Sequence, residues 1–217
     1  MIRGLASNPE IILLDEPFAN LDTRLREKLR DKVLHILKVN NITTIIVTHD
    51  ADEAMFVSDY IAILNNGQIQ QYGKPVELYT SPKNKFVAEF FGEINVITGR
   101  KVNNKLHTPL GNFYLKKSNL KKNYSLFVRS EGIKIIKSTE DDSIIFNKRN
   151  NNLVKSPNNG RIIEAKFLGG STIVHLALNG MKDYDHLHIK IPGINYFENN
   201  QIVNLYTDVN YSYIFET

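Results

Sequence analysis

Ile11-Ile12-Leu13-Leu14-Asp15-Glu16-Pro17 is the stretch that decides how this chain folds. Four aliphatic residues run straight into two adjacent carboxylates and a proline. So short and apolar a run reads as a buried strand of a parallel sheet. In open α/β sheets the chemistry gathers just beyond the carboxyl ends of the strands, so Asp15 and Glu16 are delivered to the reactive edge. One carboxylate there can hold a magnesium ion, and the other can orient or deprotonate a water.

Outward from that run the α/β pattern continues to about residue 60. Leu25, Leu29, Val33, Ile36 and Leu37 recur in steps of three and four between Arg24, Arg26, Lys28 and Arg30, which predicts an amphipathic helix. Asp22 is placed to cap its first turn. Ile42–Val47 is a second buried strand, rich in β-branched residues, ending at Thr48-His49-Asp50. Asp50 can cap a short helix from Ala51 to Val57. Then Tyr60–Leu64, Asn65-Asn66-Gly67 and Gln68–Tyr72 read as strand, turn, strand. Pro75 and Pro82 can each open a short helix, the second carrying Phe86, Val87, Phe90 and Phe91 and stopping at Gly92.

From about residue 93 the pattern changes to short strands broken by turn residues, which points to a small barrel or sandwich. The segments are Ile94–Lys101, Leu126–Arg129, Arg161–Phe167, Thr172–Leu178, Leu187–Ile191 and Val203–Tyr206, with Gly169-Gly170-Ser171 as a hairpin turn. The polar, proline-interrupted stretch 147–159 reads as a loop. His186, His188 and Lys190 alternate along one strand and share a face. With His175 they make either a metal patch or an ordinary solvated strand face.

Composition narrows the classes. The chain has 217 residues, 42% hydrophobic and 23% charged, as in an ordinary globular protein. No apolar run approaches the ~18 residues that cross a bilayer. The opening Met1-Ile2-Arg3-Gly4 carries no apolar signal core, and there is no cysteine, so a cytosolic chain without disulfides or thiolate metal sites is expected. Residues 1–92 hold 10 Lys+Arg against 12 Asp+Glu; residues 93–217 hold 17 against 11. The basic half has no arginine stripe or interleaved aromatics, so nucleic acid is not an expected partner.

These pieces, in this order and spacing, resemble an ATP-binding cassette (ABC) ATPase. Ile11–Glu16 looks like its Walker B strand, Ala19-Asn20-Leu21-Asp22 like its D-loop, and Ile45–His49 like its switch-histidine strand. Arg3–Pro9 is similar to the helix end that joins the signature motif to Walker B. Tyr60–Tyr72, Gly73–Tyr79 and Phe86–Gly92 look like the tail of that domain in importer ATPases. Thr108-Pro109-Leu110-Gly111 and Phe127–Ile133 resemble their C-terminal TOBE domain, although the family usually has proline where Ser130 stands and an acid where Gly132 stands. The resemblance implies an α/β fold, the C-terminal part of a P-loop ABC nucleotide-binding domain over residues 1–92, followed by a small all-β, OB-like TOBE domain over residues 93–217.

It also implies roles. Asp15 holds magnesium through water in Mg-ATP, Glu16 polarises the attacking water, His49 touches the γ-phosphate or that water, and Asp22 lies at the seam of an ATPase dimer. The implied partners are a second ATPase subunit and transmembrane permease subunits, with the chain peripheral on the cytoplasmic face of the membrane. Ferric iron is the solute the resemblance favours, with polyamines beside it. A DNA-repair ABC ATPase would share Asp15, Glu16 and His49 but not the importer-like tail.

No G-x-x-x-x-G-K-[ST] stretch and no Leu-Ser-Gly-Gly-Gln signature occur, and Gly4 is the only glycine before Gly67. The chain therefore resembles an N-terminally truncated importer ATPase. The expectation is that it neither binds ATP well nor hydrolyses it alone, being either a fragment or one piece of a split gene whose other chain supplies the N-terminal half. The alternative is a non-catalytic module whose TOBE-like domain senses a ligand or docks a partner. Without neighbouring strands, Ile11–Leu14 is expected to present unpaired edges and apolar faces.

Overall fold

The computed structural model describes residues 9–19, 21–115, 123–137, 152–181 and 185–217. The expectations for Arg3–Asn8, for Asn20 and for the loop stretch 147–151 lie outside the described residues. The described residues are mostly β-strand with few helices. They fall into two compact units, Met1–Tyr79 and Thr80–Thr217.

In the first unit, β1 (Ile11–Asp15) pairs in parallel with β2 (Thr43–Val47), Ile11 opposite Thr43 and Asp15 opposite Val47. The parallel pairing agrees with the sequence expectation; burial on both faces does not. Only these two strands form the sheet among the described residues, and exposure alternates along each. One face, through Ile12, meets α1 (Thr23–Val39) at a small core of Phe18, Val33 and Leu37. The other leaves Leu13 72%, Ile11 59%, Val47 57% and Ile45 55% exposed. The helical stripe is also only partly used. Val33 and Leu37 are buried, while Leu25 and Ile36 stay exposed, because a two-stranded sheet is narrower than the stripe.

Helix α1 starts where Asp22 accepts the Leu25 N–H at 3.0 Å. α2 (Ala51–Val57) starts where Asp50 accepts the Glu53 N–H at 3.0 Å. β3 (Ile61–Asn65) and β4 (Gln68–Gly73) form the expected hairpin. Its turn places Asn66 and Gly67 at φ 49° and 75°, the left-handed pair that a two-residue hairpin loop requires. α3 (Pro75–Thr80) follows.

In the second unit, α4 (Lys85–Phe90) begins after Asn84, whose side chain accepts the Val87 N–H at 3.0 Å. The remaining elements are β5 (Ile94–Thr98), β6 (Arg100–Val102), β7 (Lys105–Thr108), β8 (Gly111–Tyr114), β9 (Tyr124–Arg129), β10 (Ile133–Lys137), β11 (Leu153–Lys155), β12 (Gly160–Phe167), β13 (Ser171–Leu178), β14 (Leu187–Pro192), β15 (Ile202–Asp208) and β16 (Ser212–Glu216). They form three antiparallel sheets: β10-β15-β12-β13-β14 with β11 on β15, then β16-β9-β5, then β6-β7-β8. Side chains from all three enter one core, among them Leu126 and Val128, Leu106 and Phe113, and Val174, Leu176 and Leu187. Hydrophobic burial at this common centre holds the short strands together.

Arg129 is 1% exposed, and part of the cost of burying its charge is offset where Nη1 donates to the Ala88 and Phe91 carbonyls at 3.3 and 3.2 Å. Those carbonyls belong to the end of α4, where a cation also complements the helix dipole. Its Nε donates to the Tyr213 hydroxyl at 3.3 Å. Gly132 fits because the space is already taken: an added Cβ would stand 2.5 Å from the Tyr211 Cβ.

Candidate functional site

Parallel pairing puts the residues that follow β1 and β2 at the same end of the sheet. The Glu16 N–H donates to the Val47 carbonyl at 2.8 Å, extending the pairing one step past Asp15. The backbone then turns sharply, with Glu16 at φ 43°, a left-handed conformation that a side-chain-bearing residue adopts at a cost of about 1–2 kcal/mol. There the carboxylate meets the end of β2: Glu16 Oε1 lies 2.8 Å from His49 Nδ1. Hydrogen bonding to Glu16, and then its negative charge, holds the His49 imidazole above its ordinary 6.5; desolvation opposes the rise, and Asp50 and Glu53 add to it. Both side chains are open to solvent, so water and salt screen the pair.

The two groups share a cleft of about 340 Å³ lined by Glu16, Phe18, Ala19, Arg26, Thr48, His49, Asp50 and Glu53. Of the four residues singled out from sequence, Glu16 and His49 are brought together. Asp15 ends β1, exposed and one residue from Glu16, and does not line the cleft. Asp22 is the N-cap of α1 and also lies outside the lining.

A second set of polar groups fixes the floor. The Thr48 hydroxyl donates to the Glu53 carboxylate, and the Asp50 N–H donates to Thr48 Oγ1 at 3.1 Å. Arg26 donates through Nη1 to Asp50 Oδ2 at 3.4 Å and through Nη2 to the Leu21 carbonyl at 3.2 Å. Glu53 is only 5% exposed, so its hydrogen bond with Thr48 is formed away from bulk water. This network clamps both neighbours of His49 and thereby sets where the imidazole emerges. Sequence reading named Asp50 only as a cap and missed Arg26, Thr48 and Glu53 as one network. The signal for part of it was present: Asp50 with Glu53 three residues on is the spacing of a capping box. Nothing local announces that Arg26, 24 positions away from Asp50, closes the set.

Asp15 and Glu16 offer hard oxygen donors of the kind magnesium takes through water, and His49 can donate to a phosphate oxygen. A nucleotide triphosphate also needs backbone N–H groups and a lysine around its phosphates, and no Gly-Lys-Ser/Thr loop occurs in the sequence. The residues present thus fit the water-activating side of a Mg-ATP site and not its phosphate cradle.

No protein-family model matches the chain. Similar curated proteins include the Fe(3+) ions import ATP-binding protein FbpC of Haemophilus influenzae (strain 86-028NP), 35% identical over 182 residues, which are 83% of this chain and 48% of that protein. The FbpC of Fusobacterium nucleatum is 35% identical over 223 residues, 97% of this chain and 58% of that protein. The spermidine/putrescine import ATP-binding protein PotA of Pseudomonas fluorescens is 47% identical over 97 residues, 45% of this chain and 26% of that protein. The chain thus spans about half the length of the curated iron-import relatives it matches. Among solved structures, the cytoplasmic molybdate-binding protein ModG aligns with 62% of this chain and 97% of its own, at 9% identity and a TM-score of 0.37.

Proposed function

This chain is a homologue of ABC-importer ATP-binding proteins, matched over their C-terminal part, and from that premise we propose that it works as part of the energy-coupling subunit of a solute importer. In this reading residues 1–92 are the C-terminal portion of an ABC nucleotide-binding domain of P-loop type, and residues 93–217 are a TOBE-like, OB-type domain. Glu16 orients and deprotonates the attacking water. His49 holds Glu16 and the reacting phosphate in register, Asp15 takes magnesium through water, and Asp22 lies at the seam with a second ATPase subunit. The observation that carries this is the 2.8 Å meeting of the Glu16 carboxylate and the His49 imidazole, delivered by neighbouring parallel strands into one cleft.

Phosphoryl transfer is mostly positioning and charge stabilisation, so a water-activating carboxylate acts only on a phosphate held in place by other groups. In the proposed assembly those groups come from a phosphate loop and signature motif outside these 217 residues, together with transmembrane permease subunits. The chain acts at the cytoplasmic face of the membrane; among the described residues no helix is long and apolar enough to cross it. Ferric iron is the proposed solute, since the iron-import relatives align over more of the chain than the polyamine ones.

The test is reconstitution. This chain alone is expected to show no ATP hydrolysis. Supplied with permease subunits and with a segment bearing the phosphate loop and signature, fused upstream or co-expressed, it is expected to support hydrolysis that Glu16→Gln abolishes. Absence of hydrolysis in every combination, or hydrolysis indifferent to Glu16→Gln, overturns the reading.

A further inference from the structure

In the second unit, far along the sequence from the carboxylate–imidazole cleft, β13 and β14 place three histidines on one face. His175 and His188 stand directly opposite each other in the antiparallel register. His186 precedes β14 two residues before His188, and so shares its side of the sheet. The three imidazoles gather closely, with ring centroids 4.5 Å apart for His175–His188, 4.7 Å for His186–His188 and 5.1 Å for His175–His186. One ligating nitrogen from each lies within 4.8 Å of the others.

Two further contacts fix the arrangement. Asn95, on β5, donates through Nδ2 to the His188 carbonyl and accepts the His188 N–H, both at 2.8 Å, so a buried side chain pins the backbone of β14 beside β5. That pin brings the Glu93 carboxylate onto His188 Nδ1. A carboxylate holding Nδ1 fixes the ring's orientation and aims Nε2 at the cluster, the orienting arrangement found behind metal-bound histidines. His188 Nε2 in turn faces His186 Nε2 at 2.8 Å.

We propose that His175, His186 and His188 form a binding site for a divalent first-row transition ion, zinc first, with Glu93 orienting His188. Three imidazoles are a ligand set that suits zinc, and the fourth tetrahedral position can be taken by a water. Asp185 lines the adjoining cleft of about 340 Å³ together with Glu93, Asn95, His186 and His188. Nitrogens bound at about 2.0–2.1 Å to a tetrahedral ion stand roughly 3.3 Å apart. The His186–His188 pair therefore opens by about half an ångström, and His175 moves in by at most about 1.5 Å. The site lies outside the residues assigned to ATP chemistry and does not depend on that assignment.

The experiment is calorimetric titration of zinc chloride into the tag-free full chain. One zinc per chain is expected. His186→Ala removes an exposed ligand and is expected to weaken binding more than tenfold, as is His175→Ala. Glu93→Gln leaves all three ligands and is expected to cost 10–100-fold, as for other carboxylates behind metal ligands. His49→Ala is expected to bind as the unaltered chain does. Circular dichroism of each variant separates lost ligation from lost fold, and His186→Ala decides the matter where another variant misfolds. No binding by the unaltered chain, or equal binding by His186→Ala, overturns the proposal.

Discussion

The raised titration of His49 has one main source, and that makes it a test of the geometry at the sheet edge. Its first causes are the hydrogen bond to Glu16 and the charge of Glu16. A group whose proton is held more tightly in the folded state stabilises it below the unfolded value of 6.5, and that contribution is lost as pH climbs through the raised value. Following the His49 ring protons by NMR against pH should show a midpoint above 6.5 in the unaltered chain, dropping toward the ordinary value in Glu16→Gln. An unmoved midpoint means the two side chains do not meet in solution. Gly132 offers a second residue-scale test. Where the resemblance leads one to expect an acid, this chain has packed Tyr211 into the space a side chain would use, 2.5 Å from an added Cβ. Gly132→Ala should cost about 1–3 kcal/mol by overpacking, read as a lowered denaturant midpoint.

Among the elements, α2 depends on its first turn more than its length of seven residues suggests. Asp50 caps it, receives Arg26 from α1, and shares Thr48 with Glu53. Asp50→Ala should destabilise by about 1–2 kcal/mol, at the upper end of the range for lost caps, and Asp22→Ala by about 1 kcal/mol, since Asp22 supplies its cap bond alone among these contacts. Urea titrations of the two variants compare them directly. The elements also show what the sequence could and could not convey. β1, α1, the Asn66-Gly67 hairpin and the Gly169-Gly170 turn were legible because each rests on local chemistry: an apolar run, a helical period, left-handed turn residues. The helix expected to open at Pro82 starts instead at Lys85, because Asn84 has a side chain that can accept the Val87 N–H and proline has none. The single strand read over Ile94–Lys101 is two, β5 and β6, broken at Gly99, where an added Cβ would lie 2.7 Å from Leu106. β6, β7 and β8 are three or four residues long, too short to show a period of two. The Glu16–His49 pair was readable as motif; Arg26 and the Asn95 pin on His188 were not, because contacts across 24 and 93 positions leave no local trace.

At the scale of the molecule the two units differ in how much apolar surface they cover. The second draws side chains from three sheets into one core, with Leu106, Leu126, Ile162 and Leu187 fully buried. The first centres on Phe18, Val33 and Leu37, and leaves the Ile11, Leu13, Ile45 and Val47 face of its sheet open. At about 25 cal/mol per Å² of buried apolar surface, a unit that leaves four aliphatic side chains more than half exposed forgoes stabilisation of several kcal/mol. Local opening should therefore come first there. In limited proteolysis with mass-spectrometric mapping, fragments from residues 80–217 should outlast those from residues 1–79; early loss of the β-rich unit with survival of residues 1–60 contradicts this. The same face predicts concentration-dependent association, because exposed aliphatic strands whose outer edges are unpaired among the described residues template contacts with other chains. Leu13→Lys puts a charge on that face without touching the core. It should shift the light-scattering mass toward that of a single chain at concentrations where the unaltered protein associates, while leaving the circular dichroism spectrum unchanged.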